Sequence, residues 1–342
     1  MITSRIARFF HALAAAGLVV VAASHTAAAA EPGLLGRCWP TENLGARPDE
    51  RRPIRGAPGH AASIPKIAVP AATPISAADR GSIRRVELPK GMKLAALTLD
   101  LCEQPGEIAG YDAPIFDYLR RNNIKATIFA GGKWLMTHAE RAEQLIADPL
   151  LEIANHGWAH RNVRGLEGAA LQAEILGPMA AYTRRRNDLL DRECAKAAPQ
   201  LAMSRPQRMS LYRFPYGACN PAALDALAAQ GLKAIQWDVS TGDASPTESA
   251  TAVAATIIRN TRPGSIILAH AIGRGYNTAA ALAIAVPKLQ EQGYRFVTVS
   301  ELLAAGKPVV TATCYDSRPG DTDRYDALFR RPQAATPPVT RP

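Results

Sequence analysis

Short apolar runs alternate with longer helix-forming segments from residue 93 to residue 305. Seven runs, at 94–99 (LAALTL), 126–130 (ATIFA), 151–154 (LEIA), 211–215 (LYRFP), 233–237 (KAIQW), 265–269 (SIILA) and 295–299 (RFVTV), have strand length and β-branched or aromatic content. The segments between them carry helix start signals: Asp112 opens a helix to about Asn122, Asn220 precedes Pro221, Pro246 begins another, and Asn277-Thr278 and Ser300 cap the last two. Strand-helix alternation of this kind predicts a parallel sheet, doubly wound or closed on itself, and about seven strands favour an irregular (β/α) barrel.

The flanks read differently. Residues 31–92 are rich in Pro, Ala and Arg without helical or strand periodicity, which predicts a linker or surface wrap, and 306–342 ends in a Pro-rich tail. Arg5 and Arg8, an apolar run from Ala12 to Ala23 and Ala28-Ala29-Ala30 before Glu31 have the layout of a secretory signal over residues 1–30. The apolar run falls short of the roughly 20 residues a bilayer span needs. The expected locations are therefore periplasmic or extracellular, with no span after signal removal.

Composition sharpens this picture. With 47% hydrophobic and 20% charged residues the chain can bury a core. Its net charge of +10 becomes +8 once Arg5 and Arg8 leave with the signal, a surplus suited to anionic surfaces such as acidic cell-wall polymer. Nucleic acid is a poor partner: aromatics are 6%, and Arg184-Arg185-Arg186, the densest basic cluster, is expected on a solvated face. Five cysteines (Cys38, Cys102, Cys194, Cys219, Cys314) permit disulfides in an exported chain and leave at least one thiol over.

In parallel α/β folds the chemistry gathers past the carboxyl ends of strands, and the polar clusters fall there. His156 and His160, four apart after a buried-type strand, have the spacing of two neutral rings sharing one metal; surface histidines are the alternative. Asp100 ends an apolar strand, where a carboxylate needs a partner, and Arg213 ends another. That pair reads as a buried structural ion pair or as a general base with its countercharge. His270 also follows a strand, and a carboxylate from Asp243 beside it makes a general acid; Asp243 otherwise caps the segment before Pro246.

In this order Asp100, the His156/His160 pair, Arg213-Phe214-Pro215-Tyr216, Asp238 to Asp243 and Leu268-Ala269-His270 resemble the five motifs of the NodB-homology polysaccharide deacetylases, carbohydrate esterase family four. The resemblance covers about 200 residues. It implies an irregular (β/α) barrel and a divalent metal, usually zinc. It also implies hydrolysis of N-acetyl groups on N-acetylglucosamine polymers such as chitin oligomers or peptidoglycan. Carried over by position, Asp100 becomes the base, Arg213 the residue that fixes it, Asp243 the tuner of His270, and His270 the acid. His156 and His160 become metal ligands, the backbone N–H of Tyr216 the oxyanion donor, and Leu268 part of the acetyl pocket.

The first motif departs from the family, which carries two adjacent aspartates there, the second being the third metal ligand; here that position is Leu101. Glu103 is the expected substitute, with the Cys102 thiolate and Asp100 itself as alternatives. Smaller departures are Gly157, where the family prefers Ser or Thr, and Arg161, where it often has Pro. If Arg213 reaches Asp100, Cys102 and Cys219 come onto neighbouring loops, so a Cys102–Cys219 disulfide is expected, with Cys38 and Cys314 joining the flanks and Cys194 left over. Two other functions stay open: a catalytically silent glycan-binding barrel, motivated by Leu101, and the same chemistry on a small amide.

Overall fold

A parallel strand covered by helices on one side and by a barrel interior on the other must be apolar throughout. The segments Leu94–Leu101 and Ala126–Ala130 are buried at every position and apolar except at Thr98, Asp100 and Thr127, each of which is hydrogen-bonded. The computed structural model describes residues 33–56, 62–76 and 80–329. Its strands in chain order are β1 (Ile54–Arg55), β2 (Ser82–Glu87), β3 (Leu94–Leu101), β4 (Glu107–Ile108), β5 (Ala126–Ala130), β6 (Leu151–Asn155), β7 (Leu211–Tyr212), β8 (Lys233–Ile235), β9 (Val239–Ser240), β10 (Ile266–His270), β11 (Arg295–Phe296) and β12 (Lys307–Thr311).

β1 and β4 pair antiparallel by themselves. The other ten form one sheet in the order β12-β2-β8-β7-β6-β5-β3-β10-β9, with β11 on the first residues of β3. Every ladder in it is parallel except β12 on β2. β2 pairs with β8 at Ser82 and Ile83, and then Arg85 bridges Ser265 while the Val86 N–H donates to Gly264 O at 2.9 Å. The sheet thus curls until its two sides meet, and all seven runs expected to be strands lie in it. Phe129, Ile235, Trp237, Ile266 and Leu268 fill the interior, whereas Leu97, Leu99 and Leu101 pack outward with helix residues such as Phe116, Leu145 and Ile175.

The flanks are more structured than their composition suggests. Ser82–Glu87, inside the expected linker, is a sheet strand whose buried Arg84 is satisfied by the carbonyls of Tyr315 and Asp316 at 2.5 and 2.6 Å, while Arg85 pairs with Glu87. Lys307–Thr311, inside the expected tail, is the edge strand beside it. Trp39 is buried, and buried Arg141 binds the carbonyls of Asn43, Leu44 and Gly45 and both oxygens of Glu50, which clamps the N-terminal wrap to the barrel. Residues 1–30, the expected signal, lie outside the described residues. Among those described, no helix is long and apolar enough to cross a membrane.

Two helix starts move from their expected places. Ser249, not Pro246, caps Ala250–Asn260 by accepting from the Ala252 N–H, and Thr298, not Ser300, caps Val299–Ala304 in a capping box with Glu301. The cysteines also pair differently. Cys38 bonds Cys194 and Cys219 bonds Cys314, leaving Cys102 as the free, buried thiol. Cys219 is taken by Cys314 of the returning tail, so the expected Cys102–Cys219 bridge does not form. Arg185 and Arg186 are buried rather than solvated, bound to Asp188 and to Arg205 O.

Candidate active site

Two charged pairs stand side by side at the carboxyl ends of neighbouring strands. β3 and β10 run parallel with Asp100 and His270 in register, so both side chains emerge at the same level. Arg213, fully buried, donates from Nη1 to Asp100 Oδ1 at 2.8 Å. Its guanidinium is boxed in by the Phe129 ring at 4.0 Å and the Trp237 ring at 5.4 Å, and its other nitrogens reach Ile235 O and Gln236 O. Burial lowers the pKa of Arg213 and the Asp100 charge opposes this.

Asp243 is used at both oxygens. Oδ1 takes the His270 ring at Nδ1, 2.8 Å away, and the Thr241 hydroxyl; Oδ2 accepts from the His270 backbone N–H at 2.7 Å and the Thr278 hydroxyl at 2.6 Å. Since the carboxylate only accepts, Nδ1 carries the proton and Nε2 is left as the exchanging nitrogen. Burial alone would discharge the ring, but the charge and hydrogen bond of Asp243 outweigh it and His270 is raised above its ordinary value. Asp243 is held below the usual carboxylate range, its own burial being outweighed by His270. The carboxylate is thus more than the helix cap that was its alternative reading.

The two remaining histidines come from the loop after β6. The His156 N–H donates to Ala130 O at 3.1 Å, and Asn155 and Glu174 fix the turn by accepting from the N–H groups of Gly157, Trp158 and Ala159. Gly157 has φ +76°, and a Cβ there would stand 2.9 Å from Glu174 Oε2, so a Ser or Thr would be strained in this turn. His156 and His160 rings meet at 5.0 Å and His160 lies against Tyr216 at 4.4 Å. His160 and Tyr216 are two of the four non-glycine residues with positive φ among those described, and strain of this kind concentrates at functional sites.

His156 Nδ1 faces Arg213 O at 3.0 Å, a pure acceptor, so the ring proton sits there and the Nε2 lone pair points inward. Nε2 is buried without a hydrogen-bond partner and stands 3.3 Å from Asp100 Oδ2; His160 Nδ1 is likewise buried without one. Burial lowers both pKa values, that of His160 well below its ordinary range, so both rings are neutral and ready to ligate. Two lone-pair nitrogens beside a carboxylate fit a divalent cation, which would relieve all three.

Glu103 does not join them. It is fully buried on the other side of the strand end, 3.0 Å from Lys133 Nζ, and it accepts from the Thr137 hydroxyl and the Ala109 N–H. Leu268 is buried in the barrel interior below His270. Tyr216 lines a cleft of about 730 Å³ with Gln104, His160, Asn162, Arg164 and Asp326. One wall of this cleft is the C-terminal segment: Asn162 binds Asp326 at 2.8 Å, Arg164 binds Asp323 at 2.6 Å, and the Tyr325 ring lies 5.0 Å from that of Tyr216. That wall, the loop-holding Glu174, and Arg274, gripped by Glu107 at 2.8 and 2.9 Å, were not foreseen. The spacing of polar residues along single strands carries no signal for groups that converge from distant segments.

Comparison with known proteins bears on the fold and on the sequence as a whole. The polysaccharide deacetylase family matches residues 88–235. A peptidoglycan N-acetylglucosamine deacetylase of Listeria monocytogenes is 28% identical over 223 residues, 65% of this chain and 41% of its own length, so the chain spans well under half of that relative. One from Bacillus cereus is 28% identical over 222 residues, 64% of this chain and 91% of its own. Among solved structures, a peptidoglycan N-acetylglucosamine deacetylase shares the fold at TM-score 0.54 and 23% identity, covering 67% of this chain and 95% of that one. A family four pseudoenzyme from Bacillus anthracis shares it at 0.53 and 22%, covering 66% and 69%. With its motifs seated at the strand ends of an irregular barrel, the chain is similar to the polysaccharide deacetylase family over residues 88–235.

Proposed function

We propose that the protein is an exported, metal-dependent hydrolase that removes N-acetyl groups from an N-acetylglucosamine-containing polysaccharide of the peptidoglycan or chitooligosaccharide type. The observation that carries this reading is the register of Asp100 with His270, which sets a carboxylate and a raised-pKa imidazole on adjacent strands around two unpartnered histidine nitrogens. His156 and His160 would hold the ion, with zinc the choice that suits imidazole ligands. Such an ion, when bound, polarises the amide carbonyl and makes water acidic enough to attack it.

The chain's own residues do the rest. Asp100, held in place by Arg213, takes the proton of the attacking water as its oxygen bonds to the acetyl carbon. Leu268 lines the pocket for the acetyl methyl, and the backbone N–H of Tyr216 serves the oxyanion of the tetrahedral adduct. The carbon–nitrogen bond then breaks with its electron pair going to nitrogen. His270 supplies the proton from Nε2, releasing a free amine and acetate while Asp243 steadies the ring. Chain-wide positive charge suits an anionic wall polymer. The silent-barrel reading rests on Leu101, which lies outside the barrel and leaves the inner positions to its neighbours.

Acetate release from peptidoglycan and from chitin oligomers tests the proposal: turnover should be abolished by chelator and by Asp100→Asn. No turnover on any glycan, together with no metal by elemental analysis, would overturn it.

A further inference from the structure

Side chains of a strand alternate between its two faces. In β3 the residues Ala95, Leu97, Leu99 and Leu101 lie in the outer core under the helices, while Leu94 and Ala96 lie in the interior and Asp100 meets Arg213 there. The ladder continues to the end of the strand: Leu101 is paired with Ala130, and its carbonyl accepts from the Gly131 N–H at 2.8 Å. Cys102 is the first residue past the strand, its sulfur lying near His156 and His160, and Glu103 follows it on the side where Lys133 and Thr137 hold that carboxylate.

Three facts converge on Cys102. Its sulfur and one ring nitrogen each of His156 and His160 lie within 4.8 Å of one another. Nitrogens of both histidines are buried without a hydrogen-bond partner. The chain's other four cysteines are paired, so Cys102 is the thiol kept out of disulfide chemistry, and it is buried.

We propose that Cys102, as thiolate, is the third protein ligand of the metal centre, giving a Cys102–His156–His160 set that selects zinc over magnesium, calcium or manganese. The proposal rests on the metal-dependent reading above and deepens it. Three protein ligands with a fourth position open is the arrangement of a catalytic zinc site, and one sulfur with two imidazoles suits a borderline-soft ion. One thiolate carries the same charge as one carboxylate, so the charge of the centre is that of a carboxylate-bis-histidine set. Asp100 keeps its place with Arg213 and is not drawn into ligation.

Zinc X-ray absorption on the full-length protein reads the ligand directly. A sulfur shell at about 2.3 Å is expected beside nitrogen at about 2.0 Å. Cobalt(II) substitution should give a thiolate-to-metal charge-transfer band in the near ultraviolet. That band should vanish in Cys102→Ser and Cys102→Asp, while cobalt d–d absorption persists in Cys102→Asp. Zinc affinity should fall at least about 100-fold in Cys102→Ala, since even outer partners of metal ligands are worth roughly 10- to 100-fold. Stoichiometric zinc with a shell of only nitrogen and oxygen would overturn the role of Cys102 and leave the histidine-based reading intact. Failure of the wild-type chain to bind zinc or cobalt would overturn both.

Discussion

The Arg213–Asp100 pair separates structural from catalytic worth in one experiment. Arg213 is fully buried and Asp100 is 4% exposed, so neither charge is screened by water. Opposite unit charges about 4 Å apart at an effective dielectric of about 20 attract by roughly 4 kcal/mol. Removing one member of a buried pair costs about 3–5 kcal/mol, because the other stays behind uncompensated. Arg213→Met keeps the stem between Phe129 and Trp237 and should therefore lose about 4 kcal/mol, as should Asp100→Asn. The double variant leaves no orphan charge and should return to within about 1–2 kcal/mol of wild type rather than losing both amounts in sum. Calorimetric melting of the metal-free, disulfide-intact protein reads this as a fall of roughly 8–16 °C for each single variant and a small one for the double. Acetate release should stay absent in the double variant, whose stability has recovered but whose base is gone. Additive losses would refute the coupling of the two groups, and recovery of turnover in the double variant would refute Asp100 as the base.

Asp243→Asn tests the second pair through pH. His270 is raised in the folded state, so its contribution is complete below its unfolded value and is lost as pH climbs through the folded one; Asp243 is depressed, so its contribution is present above its unfolded value and lost as pH falls through the folded one. The stability gap between wild type and Asp243→Asn should thus be widest between about pH 4 and pH 6.5, and a gap that does not vary with pH would count against the pairing. Glu103→Gln strands buried Lys133 and should cost about 3 kcal/mol by denaturant titration with zinc stoichiometry unchanged; metal loss from a folded variant would restore Glu103 as a ligand. Replacing Cys219 and Cys314 by Ser opens a bridge spanning 95 residues, worth up to about 4–5 kcal/mol. Hydrogen exchange should then accelerate over 307–326 and not over β3 or β5, whereas an unchanged exchange pattern would show the wall to be held without the bridge.

What the sequence made legible follows from burial. β3 and β5 read as strands because both their faces are covered and apolar residues fill nearly every position. Asp100, Arg213, Asp243 and His270 stood out because a charge at the end of such a run needs a partner. β2 was hidden by Arg84, whose guanidinium reaches the returning tail, and by Arg85, which pairs with Glu87, and β12 by being a half-exposed edge. Glu103 was expected at the metal because it is the nearest spare carboxylate along the chain. Counting by twos from Asp100 would have favoured Cys102 and turned Glu103 outward. The disulfides were beyond reach for another reason: the partner of Cys219 depends on where the tail returns, which no local pattern records.

The pairing of the cysteines has a consequence for how the molecule is made. Cys38–Cys194 encloses Cys102, while Cys219–Cys314 closes a separate loop further on. A chain delivered from its N-terminus into an oxidising compartment presents Cys38 and Cys102 to each other before Cys194 has arrived. Pairing in order of appearance would consume the site thiol in a bridge the finished protein does not contain. Maturation must then either bury Cys102 beneath β3 before oxidation reaches it, or undo the early bridge by thiol–disulfide exchange with Cys194. If the chain is exported as proposed, the yield of competent protein is tied to the isomerase capacity of the compartment in which it folds.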